Sequence, residues 1–200
     1  MTRDAILEAA AQIFSEKGFH AASMQDIAEA VRLQKASLYH HVASKQEILL
    51  AILDRTLDLL IERMNAVLAM DLPPDQKLRQ AILCYMQILT GHHDLASVLL
   101  FEHRSLDPEF KERHIPRRNR FEALWRTLID EGQAAGVFVT SDTGLTVRTL
   151  LGAMNWTITW YRPEGQFSGE EIAGRYADMF LGGLRVMNGD MHDSAGRAGI

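Results

Sequence analysis

The chain has 200 residues, a formal net charge of −5 with His neutral, 47% hydrophobic and 24% charged residues, and one cysteine, Cys84. A chain of this length buries roughly 70% of its unfolded surface without a disulfide or metal staple, and a lone thiol makes neither a disulfide framework nor a Cys-based zinc finger. The hydrophobic fraction excludes a disordered chain, no apolar run approaches the roughly 18 residues of a membrane span, and the acidic total argues against nonspecific coating of nucleic acid while leaving room for a local DNA-reading surface.

Helical patterning then runs through the whole chain. Ile6, Ala9, Ala10, Ile13 and Phe14 recur at helical spacing, with Gly18 as a stop after Lys17. Asp4 and Glu8 inside that pattern argue against a secretory signal, and a reducing cytoplasm is the expected location. Ser23 predicts an N-cap, with Asp26 in the first turn of the next helix. After a break at Arg32–Leu33 comes a short segment, 34–42. Ser44 with Glu47 predicts a capping box opening a long helix to about Met70, which Pro73–Pro74 end. Further helices are expected over 76–90, 95–105, 117–135, 143–161 and 170–187, punctuated by Pro108, Pro116, Gly136 and Pro163. Residues 188–200 read as a flexible tail, and no repeat of 20–50 residues is visible.

Two short helices joined by a tight turn describe a helix-turn-helix. Ile27, Ala28, Leu33, Leu38 and Val42 supply its core, and Lys35, Ser37, Tyr39, His40 and His41 face outward with side chains long enough for base edges or phosphates. Lys45 and Ser23, each near a helix start, are suited to phosphates. Spacing alone equally describes an ordinary helical hairpin with a polar face. Local charge does not decide, because residues 1–50 hold five Lys or Arg against six acids.

The run R-x-x-I-L-x-A-A-x-x-I-F-x-E-x-G-F from Arg3 to Phe19 resembles the opening of the TetR family of bacterial transcriptional regulators. So do Ile27–Ala28, S-L-Y-H-H-V at Ser37–Val42 and S-K-x-E-I-L at Ser44–Leu49, in the family's order and spacing. The resemblance implies an all-α protein. Residues 1–46 would form a three-helix DNA-binding domain, and residues 47–187 a helical ligand-binding and dimerisation domain. It also implies a homodimer on a palindromic operator, released by a small-molecule inducer. Lys35, Ala36, Ser37, Tyr39, His40 and His41 would lie on the recognition helix, with Ser23, Tyr39 and Lys45 at phosphates.

The turn departs from the family pattern. Arg32 stands where Gly is usual, and Gln34 where Ser or Thr is usual. A non-Gly residue in a left-handed conformation costs on the order of 1 kcal/mol, and a lost cap about the same. A slightly rebuilt turn is therefore expected, with an Arg32–DNA contact as the other explanation.

The remaining residues exceed what a dimer clamp needs, so a ligand chamber is expected. Its candidate residues are Tyr85, Phe101, His103, Trp125, Asn155, Trp156 and Trp160, each of which could instead be core or interface packing. Gly152–Pro163 and Phe167–Leu184 resemble a subgroup whose members answer to acyl-CoA thioesters in fatty-acid, steroid and aromatic-acid breakdown. CoA needs cations, and Arg117 and Arg118 belong to the densest basic run, Lys111–Arg120, which could equally be a solvated face. A free fatty acid, an aromatic compound or a drug-like hydrophobe is the competing inducer.

Other signals are weaker. Adjacent His92 and His93 point about 100° apart on a helix and do not easily share a metal with Asp94 or His103, so no metal site is expected. Cys84, among apolar neighbours, reads as an inert buried thiol. Gly182–Gly183 suits a close helix approach at a dimer interface, or simply weakens the last helix. No nucleophile elbow, phosphate-cradling loop or H-E-x-x-H is present, so neither an enzyme nor a cofactor is expected. The altered turn keeps a second class open, a helical ligand-binding or interaction protein with altered or lost DNA recognition.

Overall fold

The structure is a computed structural model describing residues 2–186; the tail at 188–200 lies outside the described residues. Nine α-helices follow in chain order among them: α1 (Arg3–Lys17), α2 (Met24–Ala30), α3 (Lys35–Leu38), α4 (Lys45–Leu68), α5 (Pro74–Gly91), α6 (His93–Phe101), α7 (Pro108–Ala134), α8 (Thr143–Trp160) and α9 (Gly169–Leu184). A 3-10 turn, Glu102–Ser105, links α6 to α7. The chain is all-α; one antiparallel bridge, Phe138 with Arg185, ties the α7–α8 loop to the end of α9.

Local chemistry sets the ends. The Thr2 hydroxyl accepts from the Ala5 N–H at the start of α1, and Gly18, at φ 77°, ends it. The Ser44 hydroxyl accepts from the Glu47 N–H, but the Glu47 carboxylate reaches back to the Ala43 N–H, so the expected reciprocal box is displaced by one residue. Pro108 opens α7 at its first turn, where no N–H is needed. Pro116 does not break that helix, contrary to the sequence expectation. The hydrogen bond it omits would end on the carbonyl of exposed Glu112, which water can reach, and neighbouring His114 and Arg117 are tied to α4.

Two apolar cores result. The first gathers Ile6, Phe14, Ile27, Leu38, Ile48, Leu49 and Leu53, together with Val98 and Leu106 from beyond the N-terminal segment. The second gathers Leu57, Leu78, Ile82, Met86, Trp125, Leu128, Val147, Met154 and Ala177. Helix α4 serves both, and the cores divide between Leu53 and Leu57 rather than at residue 46. Helix α6 is the second shared element, since Val98 belongs to the first core, Ala96 to the second, and Leu99 packs on both. A side chain at Gly132 would collide with the Phe138 ring, so this glycine sets how closely the α7–α8 loop folds back.

Candidate DNA-reading head and ligand cavity

Helix α2 is capped as the sequence predicts. The Ser23 hydroxyl accepts from the Asp26 N–H at 3.1 Å, and the Asp26 carboxylate accepts from the Ser23 N–H at 2.8 Å. Lys17 pairs with the same carboxylate at 2.8 Å. That contact, then the Ser23 bonds, hold Asp26 well below the usual carboxylate range.

The turn between α2 and α3 is not rebuilt. Arg32 adopts the left-handed conformation at φ 56°, the one non-glycine to do so among the described residues. The Leu33 N–H donates to the Ala28 carbonyl at 2.8 Å and the Arg32 N–H to the Glu29 carbonyl at 3.0 Å. These two bonds form a Schellman motif with Arg where glycine is favoured. The carbonyls of Ala28 and Glu29 are satisfied, and the backbone carries the strain. Gln34 starts α3 with no side-chain cap, as its side chain predicts.

Leu38 and Val42 turn into the core, while Arg32, Lys35, Ala36, Tyr39, His40 and His41 are exposed and Ser37 is half-buried. The helical stretch is short, continued by turns through His41. Lys45 behaves differently from its sequence expectation. Its ammonium donates to the carbonyls of Phe19 and Ala22 at 2.7 Å each and of His20 at 3.5 Å, and sits 4.3 Å from the centre of the Phe19 ring. Its three donors are therefore taken inside the protein, where partial burial pulls its pKa below the usual lysine value. The Ser23 hydroxyl is likewise occupied by its cap.

In the C-terminal unit a cavity of about 310 Å³ opens between α4, α5, α6, α7 and α8. Leu57, Leu99, Leu100, Phe121 and Leu151 form its apolar walls, and Tyr85, His103, His114, Arg118, Glu122 and Asn155 its polar ones. Four sequence candidates, Tyr85, His103, Arg118 and Asn155, thus meet in one place. The Tyr85 hydroxyl donates to the Asn155 carbonyl oxygen, which leaves the Asn155 amide N–H groups without a described partner. Burial raises the Tyr85 pKa and keeps this hydroxyl protonated. Burial, then Arg104, pull the His103 pKa below its usual value, with Arg118 adding to the push. Arg118 itself has no ion pair among the described residues, whereas Glu122 is occupied by Arg126 at 2.7 Å.

Five other candidates lie elsewhere, Trp160 among them on the exposed side of α8. Trp156 is 66% exposed and Phe101 49% exposed, each one helical step of about 100° from the inward Asn155 and Leu100. Arg117 is drawn to α4, donating to Asp54 at 2.8 Å and to Asp58 at 3.0 Å. Trp125 is fully buried behind the cavity, edge-on to Tyr85 and Phe121, with its indole N–H unpaired. Cys84 is half-buried rather than buried, in a groove between α5 and the start of α9. Among the described residues no three potential metal ligands converge, and no helix is long and apolar enough to cross a membrane.

Two polar clasps that the sequence does not reveal tie α4 to α7 and to the segment just before it. His114 lines the cavity, is 4% exposed, and lies 3.0 Å through Nδ1 from Asp54 of α4. At the start of α4, the Gln46 amide donates to the Ser105 carbonyl at 3.0 Å and accepts from the Asp107 N–H at 3.2 Å. Both join residues about sixty positions apart, and no local pattern marks them.

Large apolar side chains remain outside on α8 and α9. Leu145, Trp156 and Trp160 of α8 and Met179 of α9 are exposed, and Gly152, Gly182 and Gly183 face open space.

Comparison with known proteins accounts for both halves. Residues 6–52 match the bacterial regulatory proteins of the tetR family, and residues 71–184 match the Tetracyclin repressor-like C-terminal domain. The HTH-type transcriptional repressor KstR2 of Mycolicibacterium smegmatis is 29% identical, covering 95% of this chain and 94% of its own. The structure of the TetR family transcriptional regulator PfmR from Thermus thermophilus superposes with a TM-score of 0.83 at 37% identity, over 90% of this chain and 99% of that one. AibR, solved in complex with isovaleryl coenzyme A and operator DNA, gives 0.82 at 28% identity, over 88% of this chain and 96% of that one. The chain belongs to the TetR family and is a DNA-binding transcriptional regulator.

Proposed function

We propose that this regulator is a homodimeric repressor, released from a palindromic operator when a CoA thioester enters the cavity of each subunit. The observation that carries this reading is the unpaired Arg118 at a cavity with apolar walls from Leu57, Leu99, Leu100, Phe121 and Leu151, with Arg104 close enough to act on the same His103. A phosphate-bearing ligand with an apolar end fits that arrangement, and Arg offers it a bidentate fork. The solved complex of AibR with isovaleryl coenzyme A and operator DNA supports the ligand class, and the repressor name of KstR2 supports the sign of regulation.

In this reading residues 35–41 enter the major groove, with Lys35, Tyr39, His40 and His41 reading bases or phosphates. Arg32 adds a phosphate contact, and Lys45 contributes through its backbone N–H at the start of α4. The exposed faces of α8 and α9 pair with a second copy, whose close approach the three open glycines allow. The protein works in the cytoplasm, where bacterial DNA lies.

Ligand and DNA communicate through the shared helices. A ligand against Leu99, Leu100 and His103 presses on α6 and the turn after it, whose far side, Val98 and Leu106, is packed in the head. A ligand against His114 acts on α4 through Asp54. Only differential affinity for two conformers shifts operator binding, and DNA must weaken the ligand by the same factor.

The test is fluorescence anisotropy of the protein on DNA flanking its own gene, at fixed salt, with a panel of acyl-CoAs, free acids and aromatic compounds. Selective binding released by an acyl-CoA supports the reading. Release by a free acid alone would replace the ligand class, and an unbiased operator search that finds no selective site would overturn operator recognition. Arg118→Ala should weaken the ligand and spare the operator, while Lys35→Ala should erode sequence preference more than overall affinity.

A further inference from the structure

Building on the CoA-thioester reading, we propose that the acyl group is small, a short branched chain or a single ring, with its thioester carbonyl held by the Asn155 amide. At liquid water's share of roughly 30 Å³ per molecule, and about the same for a methylene, the 310 Å³ cavity holds about ten non-hydrogen atoms. CoA itself far exceeds that space, so its nucleotide stays outside at Arg118 and Arg104, and only the acyl end enters. A fused steroid nucleus or a long fatty chain overfills what remains.

The floor of the cavity has no room behind it. Behind Phe121 and Tyr85 stands Trp125, fully buried, and around it Leu128, Ile129 and Met154 are closed as well. A longer acyl group would have to displace this aromatic trio from a close-packed core. The one polar feature at depth is the Tyr85–Asn155 pair. Asn155 has already accepted from Tyr85, so what it offers a ligand is its amide N–H donors, and a thioester carbonyl is an acceptor. A carboxylate would satisfy the same donors, so a short free acid is the alternative source of this chemistry.

Isothermal titration calorimetry on the full chain separates these possibilities. The probes are isovaleryl-CoA, benzoyl-CoA, palmitoyl-CoA, cholyl-CoA, free CoA and isovalerate. Isovaleryl-CoA or benzoyl-CoA is expected to bind at least tenfold more tightly than palmitoyl-CoA, cholyl-CoA, free CoA and isovalerate. Equal or tighter binding of palmitoyl-CoA or cholyl-CoA overturns the size assignment and leaves the thioester reading standing. Isovalerate as the best probe, or no thioester better than free CoA, overturns both. Leu151→Ala, which enlarges the wall, should narrow the gap between isovaleryl-CoA and palmitoyl-CoA at least fivefold. Leu151→Val serves in its place if the melting curve of the alanine variant shows a folding defect, and an unchanged ratio in the folded variant overturns the assignment.

Discussion

The N-terminal head and the C-terminal unit are packed on different principles. In the head the polar side chains at helix ends are consumed within the head itself: Ser23 and Asp26 cap α2, Ser44 and Glu47 serve α4, and Lys45 closes the carbonyls at residues 19–22. Its core is apolar, built from Ile6 to Leu53 with Val98 and Leu106 added. The C-terminal unit instead holds a cavity, a buried Tyr–Asn pair and an indole N–H with no partner. A core closed by apolar side chains has one packing, whereas a unit whose core borders a polar-lined cavity can exist in more than one. The sensor therefore has the slack, and the head follows through α4 and α6.

The largest break of this contrast is Leu38→Ala. Leu38 is fully buried in the head, and its truncation should cost about 2–5 kcal/mol. All three tryptophans, Trp125, Trp156 and Trp160, lie in the C-terminal unit, so their fluorescence reports that unit alone. Operator binding should disappear at a temperature where tryptophan emission is still native. Coincident loss of both signals would show one cooperative body and sink the division.

Asp54→Asn tests the link between the two. It weakens the bonds to His114 and Arg117, which should lower stability by about 2 kcal/mol. The more telling quantity is the ratio of operator affinities with and without inducer. That ratio should fall toward one while the inducer still binds. A full ratio in the folded variant would leave the α6 route as sufficient.

Lys45→Ala sharpens the reading of the head. Losing its charged hydrogen bonds should lower the melting temperature, by about 1–2 kcal/mol in stability. Because the ammonium is engaged inside, the salt dependence of operator binding should stay as it was. A slope reduced by about one would mean that Lys45 leaves its carbonyls for a phosphate.

The head is far more legible in the sequence than the sensor. Caps and apolar periodicity act over three or four residues, so Ser23, Asp26, Gly18 and Ser44 announce their roles. Even so, local chemistry hides the engagement of Lys45, whose partners lie more than twenty residues upstream. In the sensor, residue type alone suggests Tyr85, His103, Arg118 and Asn155, which do line one cavity. The same logic suggests Trp156, Phe101 and Arg117, which do not, because one step along a helix reverses what a side chain faces. His114 and Gln46 give no signal at all, since their partners come from another part of the chain.

Arg32→Gly is the smallest expected effect and the one whose two parts have opposite signs. Arg32 sits at φ 56°, where glycine is at ease and a side chain costs on the order of 1 kcal/mol. Removing it should stabilise the head by up to that amount, reduced by the extra freedom glycine gives the unfolded chain. Its guanidinium is exposed and has no described ion pair, so the folded state loses little else. If the arginine is kept for DNA, the variant should bind operator and unrelated DNA several-fold more weakly, with a shallower salt dependence, while melting higher. Higher stability with unchanged DNA affinity would leave the strain without a DNA-binding purpose. Lower stability would show that the side chain contributes packing that outweighs the backbone term.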